Sequence, residues 1–160
     1  MTARSGSDAI GVGDKAPDFR LETAEGPVSR ASLKGRPYVV YFYPKDDTSG
    51  CTREALDFTA AARKFDAAGV FVLGVSKDSL ESHEKFARKH KLKVALGSDP
   101  DIEAAQAWGV WGEKTLYGRK YMGIERATFL VDAKGKIAAA WRKVKVPGHV
   151  EAVLAAAKQL

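Results

Sequence analysis

Tyr38-Val39-Val40-Tyr41-Phe42-Tyr43-Pro44-Lys45-Asp46-Asp47-Thr48-Ser49-Gly50-Cys51-Thr52-Arg53-Glu54 is the stretch from which the rest of this chain is read. Tyr38 to Tyr43 is an unbroken run of aromatic and β-branched residues, which suits a strand buried on both faces. Pro44 ends it, because proline brings no N–H to a sheet ladder. Thr48 and Ser49 are N-cap types, and Gly50 lets the backbone approach a ligand closely. Beyond them Ala55, Phe58, Ala62 and Phe65 recur at helical spacing, so a helix runs from about Cys51 to Ala68 and stops at Gly69. The only cysteine of the chain, Cys51, therefore falls in the first turn of a helix. Unpaired N–H groups and the positive end of the helix dipole favour an anion there, and a thiolate is an anion.

An ordinary cysteine is only a few per cent thiolate at neutral pH. A pKa of about 6 instead of about 8.5 would raise that fraction roughly thirtyfold, equivalent to about 2 kcal/mol. Lower basicity also weakens the nucleophile and takes part of the gain back. A fast reaction therefore needs donors aimed at charge that develops only in the transition state. Thr48 and the N–H groups around Gly50 and Cys51 are candidates.

Outward from this stretch, helices alternate with strands. Phe19 to Thr23 and Val28 flank a short hairpin at Ala24-Glu25-Gly26-Pro27. Val70 to Val75 reads as a second buried strand, and Asp78 with Glu81 as a capping box for a helix to about His90. Val94 to Leu96 is a short strand, and Asp99-Pro100 starts a helix to about Trp108. Gly109 to Gly123 carries four glycines and reads as a long loop or edge excursion. Arg126 to Val131 and Ile137 to Trp141 form a hairpin, and Pro147 opens a last helix with Val150, Val153, Leu154 and Ala157 on one face. Helices between strands imply parallel pairing, and the late hairpin adds antiparallel pairing. The expected fold is α/β and thioredoxin-like: a mixed central sheet with helices on both faces and an N-terminal hairpin. Residues 1–10 are expected to be a flexible tail and residues 11–160 a single domain.

Pro44-x-x-x-Thr48-x-x-Cys51 with Glu54 resembles the active-site motif of peroxiredoxins. The resemblance runs from Gly13-Asp14-Lys15-Ala16-Pro17-Asp18-Phe19 to the C-terminal helix. It is strongest to the bacterioferritin-comigratory-protein, or peroxiredoxin Q, subfamily, through residues 109–118 and 121–132. It implies a peroxidatic Cys51 that becomes a sulfenic acid, and a Thr48 hydroxyl that hydrogen-bonds the peroxide. It also implies an Arg126 that stabilises thiolate and O–O bond, a Pro44 that shields the site, and a Glu54 that orients the arginine. Guanidinium chemistry suits its part, since the group stays charged and offers several donors in a fixed fork. Two positions depart from the family: Leu56 stands where many members carry a resolving cysteine, and Ser49 where a proline follows the threonine. With no second sulfur, an intramolecular disulfide is excluded.

Composition narrows the rest. A 45% hydrophobic, 29% charged chain of 160 residues can bury a core, and one cysteine excludes a disulfide framework or an iron–sulfur site. Met1 to Gly13 is small and polar, without a signal-peptide core, and no apolar run approaches membrane length, so a cytoplasmic location is expected. The net charge of +6 reads as a solvated surface with a mild steering field, since no nucleic-acid motif accompanies it. His83, His90 and His149 show no metal-ligand spacing and read as surface residues. Trp108, Trp111 and Tyr117 read as core and loop packing ahead of a wall to the substrate entrance.

The expected function is a thiol peroxidase that reduces hydrogen peroxide and organic hydroperoxides without metal or cofactor. An external thiol, from a thioredoxin-like protein, glutathione or a small thiol, would recycle the sulfenic acid. The resemblance also implies a monomer. Two other classes stay open: a peroxide sensor or thiol relay built on the same residues, and a non-enzymatic thioredoxin-like binding module in which the basic surface does the work.

Overall fold

The structure, a computed structural model, describes residues 10–160. In chain order the elements are β1 (Arg20–Thr23), β2 (Gly26–Ser29), β3 (Tyr38–Phe42), α1 (Ser49–Ala60), α2 (Ala62–Ala67), β4 (Phe71–Ser76) and α3 (Leu80–His90). There follow β5 (Ala95–Ser98), α4 (Glu103–Ala107), β6 (Trp111–Leu116), β7 (Arg119–Ile124), β8 (Ala127–Val131), β9 (Ile137–Trp141) and α5 (His149–Lys158). Seven strands form one sheet in the order β2-β1-β5-β4-β3-β8-β9. β3 pairs parallel to β4 and antiparallel to β8, and β4 pairs parallel to β5. The expected mixed, thioredoxin-like sheet is thus present.

Period-two alternation along β3 sorts its side chains into two cores. Tyr38, Val40 and Phe42 face a cluster with Trp108 and Phe129, which α4 covers through Ala104 and Ala105. Val39, Tyr41 and Tyr43 face the cluster that contains Cys51, roofed by Phe58 of α1, Phe65 of α2, Phe86 of α3 and Val153 of α5. Helices therefore cover both faces. Tyr41 lies opposite Gly74 on β4, where an added Cβ would stand 2.6 Å from the tyrosine ring. Only glycine leaves room for that ring.

Several local expectations change. The helix after Cys51 is two helices, interrupted at Ala61, and neither proline nor glycine marks the break. Gly69 does end the second, at φ +74, with Val70 N donating back to the Phe65 carbonyl at 3.0 Å. The cap of α3 is Ser79, whose hydroxyl oxygen accepts from Ser82 N, and not Asp78. Pro147 lies two residues ahead of α5, which begins at His149 after Gly148. The segment read as a long loop is a regular hairpin, β6–β7, paired from Trp111↔Ile124 to Leu116↔Arg119. Its glycines are turn and pairing features: Tyr117 and Gly118 at positive φ close the turn, and Gly112 lies opposite Gly123. The expected N-terminal tail lies outside the described residues except for Ile10, which packs half-buried on the core. Among the described residues no helix is long and apolar enough to cross a membrane.

Candidate active site

β3 ends at Phe42, and the chain turns through Pro44 to Asp47 into α1. Thr48 holds the N-cap position with extended backbone, so Ser49, Gly50 and Cys51 form the first turn, whose N–H groups have no partner within the helix. Cys51 is 2% exposed. Opposite it, Arg126 directly precedes β8, its carbonyl accepting from Val144 N at 2.9 Å. Antiparallel pairing of β3 with β8 brings Ala127 beside Phe42, and so carries Arg126 to the end of β3 where the turn to α1 begins.

The guanidinium bridges two groups on α1. Its Nη2 donates to Cys51 Sγ at 3.2 Å and its Nη1 to Glu54 Oε1 at 2.7 Å. Cys51 and Glu54 are three residues apart, hence on the same face of the helix, and one planar fork reaches both. Gly50 leaves room for this approach: a Cβ there would stand 3.1 Å from Nη2, so the guanidinium would have to give way by a few tenths of an ångström. Burial would lower the Arg126 pKa, but Glu54 and Cys51 outweigh it and raise it further. Glu54 is fully buried, and burial pushes its carboxyl up to about 7, against the opposing pull of Arg126.

Of the residues singled out from sequence, Cys51, Arg126, Glu54 and Gly50 meet in this one cluster. Thr48 is exposed, and its hydroxyl donates to the Lys45 carbonyl at 2.9 Å and not to the helix end. Its hydrogen is engaged, so the oxygen is left as an acceptor. Pro44 is half-buried in the same turn.

Other residues escaped sequence reading. His83 and His149 are buried, against the surface placement expected of them, while the His90 side chain is 21% exposed. His149 Nε2 lies 2.8 Å from Thr128 Oγ1 and 4.0 Å from Glu54 Oε2. Burial, then Arg126, lowers its pKa to about 4, so it is neutral at pH 7. His83 Nδ1 is 2.7 Å from Asp46 Oδ2, and Asp46 also accepts from Tyr43 OH at 2.5 Å and Ser82 Oγ at 2.8 Å. Burial would raise Asp46, but these bonds hold it below the usual carboxylate range. Asp78 accepts from Asp46 N at 2.9 Å and Ser76 Oγ at 2.6 Å. Ligand atoms of Asp46, Asp78 and His83 lie within 4.8 Å of one another, but hydrogen bonds already engage all three residues. That donor set is a clamp on the turn, and a metal ion would have to displace it. Glu125 is held by Arg142 through Nε at 2.8 Å and Nη2 at 3.1 Å, which fixes the chain just before Arg126. Adjacency to Arg126 is the one sequence signal for Glu125.

Residues 12–140 match the AhpC/TSA family. The chain is 45% identical to Peroxiredoxin Bcp of Bacillus subtilis over 94% of its own length and 97% of the relative's. It is 52% identical to Peroxiredoxin Bcp of Xanthomonas campestris over 78% of each. Among solved structures it is similar to Peroxiredoxin Q of Xanthomonas campestris, with TM-score 0.85, 43% identity and coverage of 97% and 98%. It is also similar to that organism's Bacterioferritin Comigratory Protein, described for alkyl peroxide reduction activity, with TM-score 0.83, 46% identity and coverage of 88% and 90%. With these matches spanning nearly the whole fold, the chain belongs to the AhpC/TSA family, among the peroxiredoxins of the Bcp, or peroxiredoxin Q, type.

Proposed function

We propose that the protein is a thiol-dependent peroxidase in which Cys51 is the nucleophile and Arg126 and Thr48 bind the peroxide. The observation that carries this is the Arg126 guanidinium, which donates to Cys51 Sγ at 3.2 Å and is itself anchored on buried Glu54. A purely binding module gives no reason to hold a guanidinium on a sulfur. The thiolate attacks one oxygen of a hydroperoxide, an S–O bond forms, and the O–O bond breaks. The leaving oxygen takes a proton and departs as alcohol or water, and Cys51 becomes a sulfenic acid. Arg126 keeps N–H donors beyond the two engaged here for the developing negative charge, the kind of contact worth a factor of about 10²–10³. Thr48, its own hydrogen given to Lys45, accepts the O–H of the hydroperoxide and orients it. Pro44 limits water in the turn.

One sulfur cannot form an internal disulfide. An outside thiol attacks the sulfenic acid, releases water and leaves a mixed disulfide, which a second thiol resolves. The cycle is one-cysteine in type, and both hydrogen peroxide and organic hydroperoxides are its substrates. A monomer is the proposed working unit, as the family resemblance implies. Steady-state peroxide consumption with dithiothreitol tests the reading: wild type turns over, and Cys51→Ser does not. A wild type that consumes no peroxide, or a Cys51→Ser that consumes it at the same rate, overturns it. A sensor would react once and then stall with every thiol donor.

A further inference from the structure

Re-reduction of Cys51 must come from another molecule, and the sulfur's residue is only 2% exposed. Of the seven large apolar side chains exposed among the described residues, four lie on the β6–β7 hairpin: Leu116, Tyr117, Tyr121 and Met122. Tyr117 is 96% exposed and sits at φ +50, next to Gly118 at φ +77. Turns of this type favour asparagine, aspartate or glycine at both central positions. A bulky aromatic there occupies disfavoured backbone with its ring in water, and the fold gains nothing from it. The hairpin forms a sheet of its own with no third strand.

Basic groups are interleaved with the apolar ones. Leu116 pairs with Arg119 and Lys114 with Tyr121 on one face of the hairpin, while Met122, Glu113 and Lys120 alternate onto the other. Lys114 Nζ donates back to the Ile124 carbonyl at 2.9 Å, so Leu116, Tyr121 and Arg119, with Tyr117 at the tip, make the free contact face. Glu113 is the one acid of the hairpin and lies 3.7 Å from Lys120. β7 ends at Ile124, and two residues later Arg126 contacts the sulfur. Six residues of strand span roughly 20 Å, and a domain of about 100 residues, with a radius of gyration of about 13 Å, covers tip and active site together.

We propose that the β6–β7 hairpin is the docking surface for the protein that re-reduces Cys51, a small dithiol protein whose contact face is apolar with an acidic rim. The proposal rests on the peroxidase reading above. One partner thiolate attacks the sulfenic sulfur of Cys51, an S–S bond forms, and the oxygen leaves as water after taking up protons. The partner's second thiolate then attacks its own sulfur in that mixed disulfide. Cys51 departs as thiolate, and the partner, having given two electrons, is left with a disulfide. A second copy of this chain fits the surface less well, because it would bring a like-charged rim and no second sulfur to exchange.

The test uses the full chain, thioredoxin as the protein probe and dithiothreitol as the small-thiol control. Tyr117→Asn suits the turn backbone and is combined with Tyr121→Ser; a second variant carries Arg119→Glu on the same face. Single-turnover oxidation of Cys51 by peroxide and turnover with dithiothreitol stay at wild-type rates. KM for thioredoxin rises about tenfold or more in each variant, and the charge-reversed variant loses the fall of wild-type rate with salt. Unchanged KM for thioredoxin in both variants overturns the proposal. So does a wild type that thioredoxin serves no better than dithiothreitol at equal thiol concentration, or a hairpin whose substitution splits a dimer without moving the thioredoxin KM. Absence of peroxide consumption by the wild type would instead sink the peroxidase reading, and this proposal with it.

Discussion

In the proposed mechanism Arg126, Glu54 and Gly50 shape the chemistry, and each makes a separate prediction. Arg126→Ala removes the donor on Cys51 Sγ and is expected to lower kcat/KM for peroxide by about 10²–10³. Arg126→Lys recovers part of this, since an ammonium keeps the charge but loses the fork that reaches sulfur and carboxylate together. Stopped-flow peroxide consumption separates the two. Gly50→Ala puts a Cβ 3.1 Å from Nη2 and displaces the guanidinium, with a loss of about tenfold in peroxide rate and no change of fold. Glu54 carries the pH dependence. Its folded pKa of about 7 exceeds the ordinary 4.5, so the folded state holds the proton more tightly. The stability this confers is full below pH 4.5 and is lost as pH rises through about 7, on the order of 3 kcal/mol across the window. Thermal melts should show wild type falling relative to Glu54→Gln between those limits; parallel profiles would contradict the assignment. Cys51 and Thr48 were legible from the local sequence, while the parts of Pro44 and Glu54 came only with the family resemblance. His149 was not, because a lone histidine after a proline gives no sign that tertiary packing will bury it beside Glu54.

The elements that matter are α1 and the turn before it. That turn is bolted to α3 on two sides, by Asp46 to His83 at 2.7 Å and by Asp47 to Lys89 at 2.7 Å and His90 at 2.8 Å. In the proposed one-cysteine cycle, release of this clamp is what exposes buried Cys51 to a protein thiol. His83→Leu leaves the Asp46 carboxylate buried with fewer partners, at a cost of about 3 kcal/mol. Hydrogen exchange over residues 43–52 is expected to accelerate, and so is re-reduction by small thiols; unchanged exchange there would refute the clamp. Leu56 gives a second handle. It lies five residues along α1 from Cys51, roughly 7.5 Å of helical rise, too far for a disulfide in the intact helix. Leu56→Cys is therefore expected to form an internal bond with Cys51 after peroxide treatment, with loss of helical signal from the first turns of α1. A bond formed with the helix intact would contradict this. Hydrophobic period exposed β3, β4 and β8 in the sequence, because those strands are buried on both faces. The β6–β7 hairpin stayed hidden for the opposite reason: it is largely exposed, alternates weakly, and its glycines mimic a loop.

At the scale of the whole molecule, the sheet joins two half-sites that are 75 residues apart in sequence. The parallel β3–β4 pair and the antiparallel β3–β8 pair share one central strand, so both the helix with Cys51 and the residue before β8 emerge at the same end of it. Sequence pattern foretold this topology because strands alternate with helices up to β5 and a hairpin follows at the end. It could not foretell the ion pair of Arg142 with Glu125, which holds the Arg126 backbone and links residues 17 apart. The charge of +6 is spread over the surface, with Lys114, Arg119 and Lys120 gathered on the hairpin beside the site. The most direct measurement is a single-turnover experiment on the reduced chain without added thiol, with peroxide consumed and Cys51 followed by intact-protein mass. The account predicts one hydroperoxide per chain, one oxygen gained at Cys51, and a stop that added thiol relieves. Continued consumption beyond one equivalent without thiol, or oxygen gained elsewhere than Cys51, would contradict it.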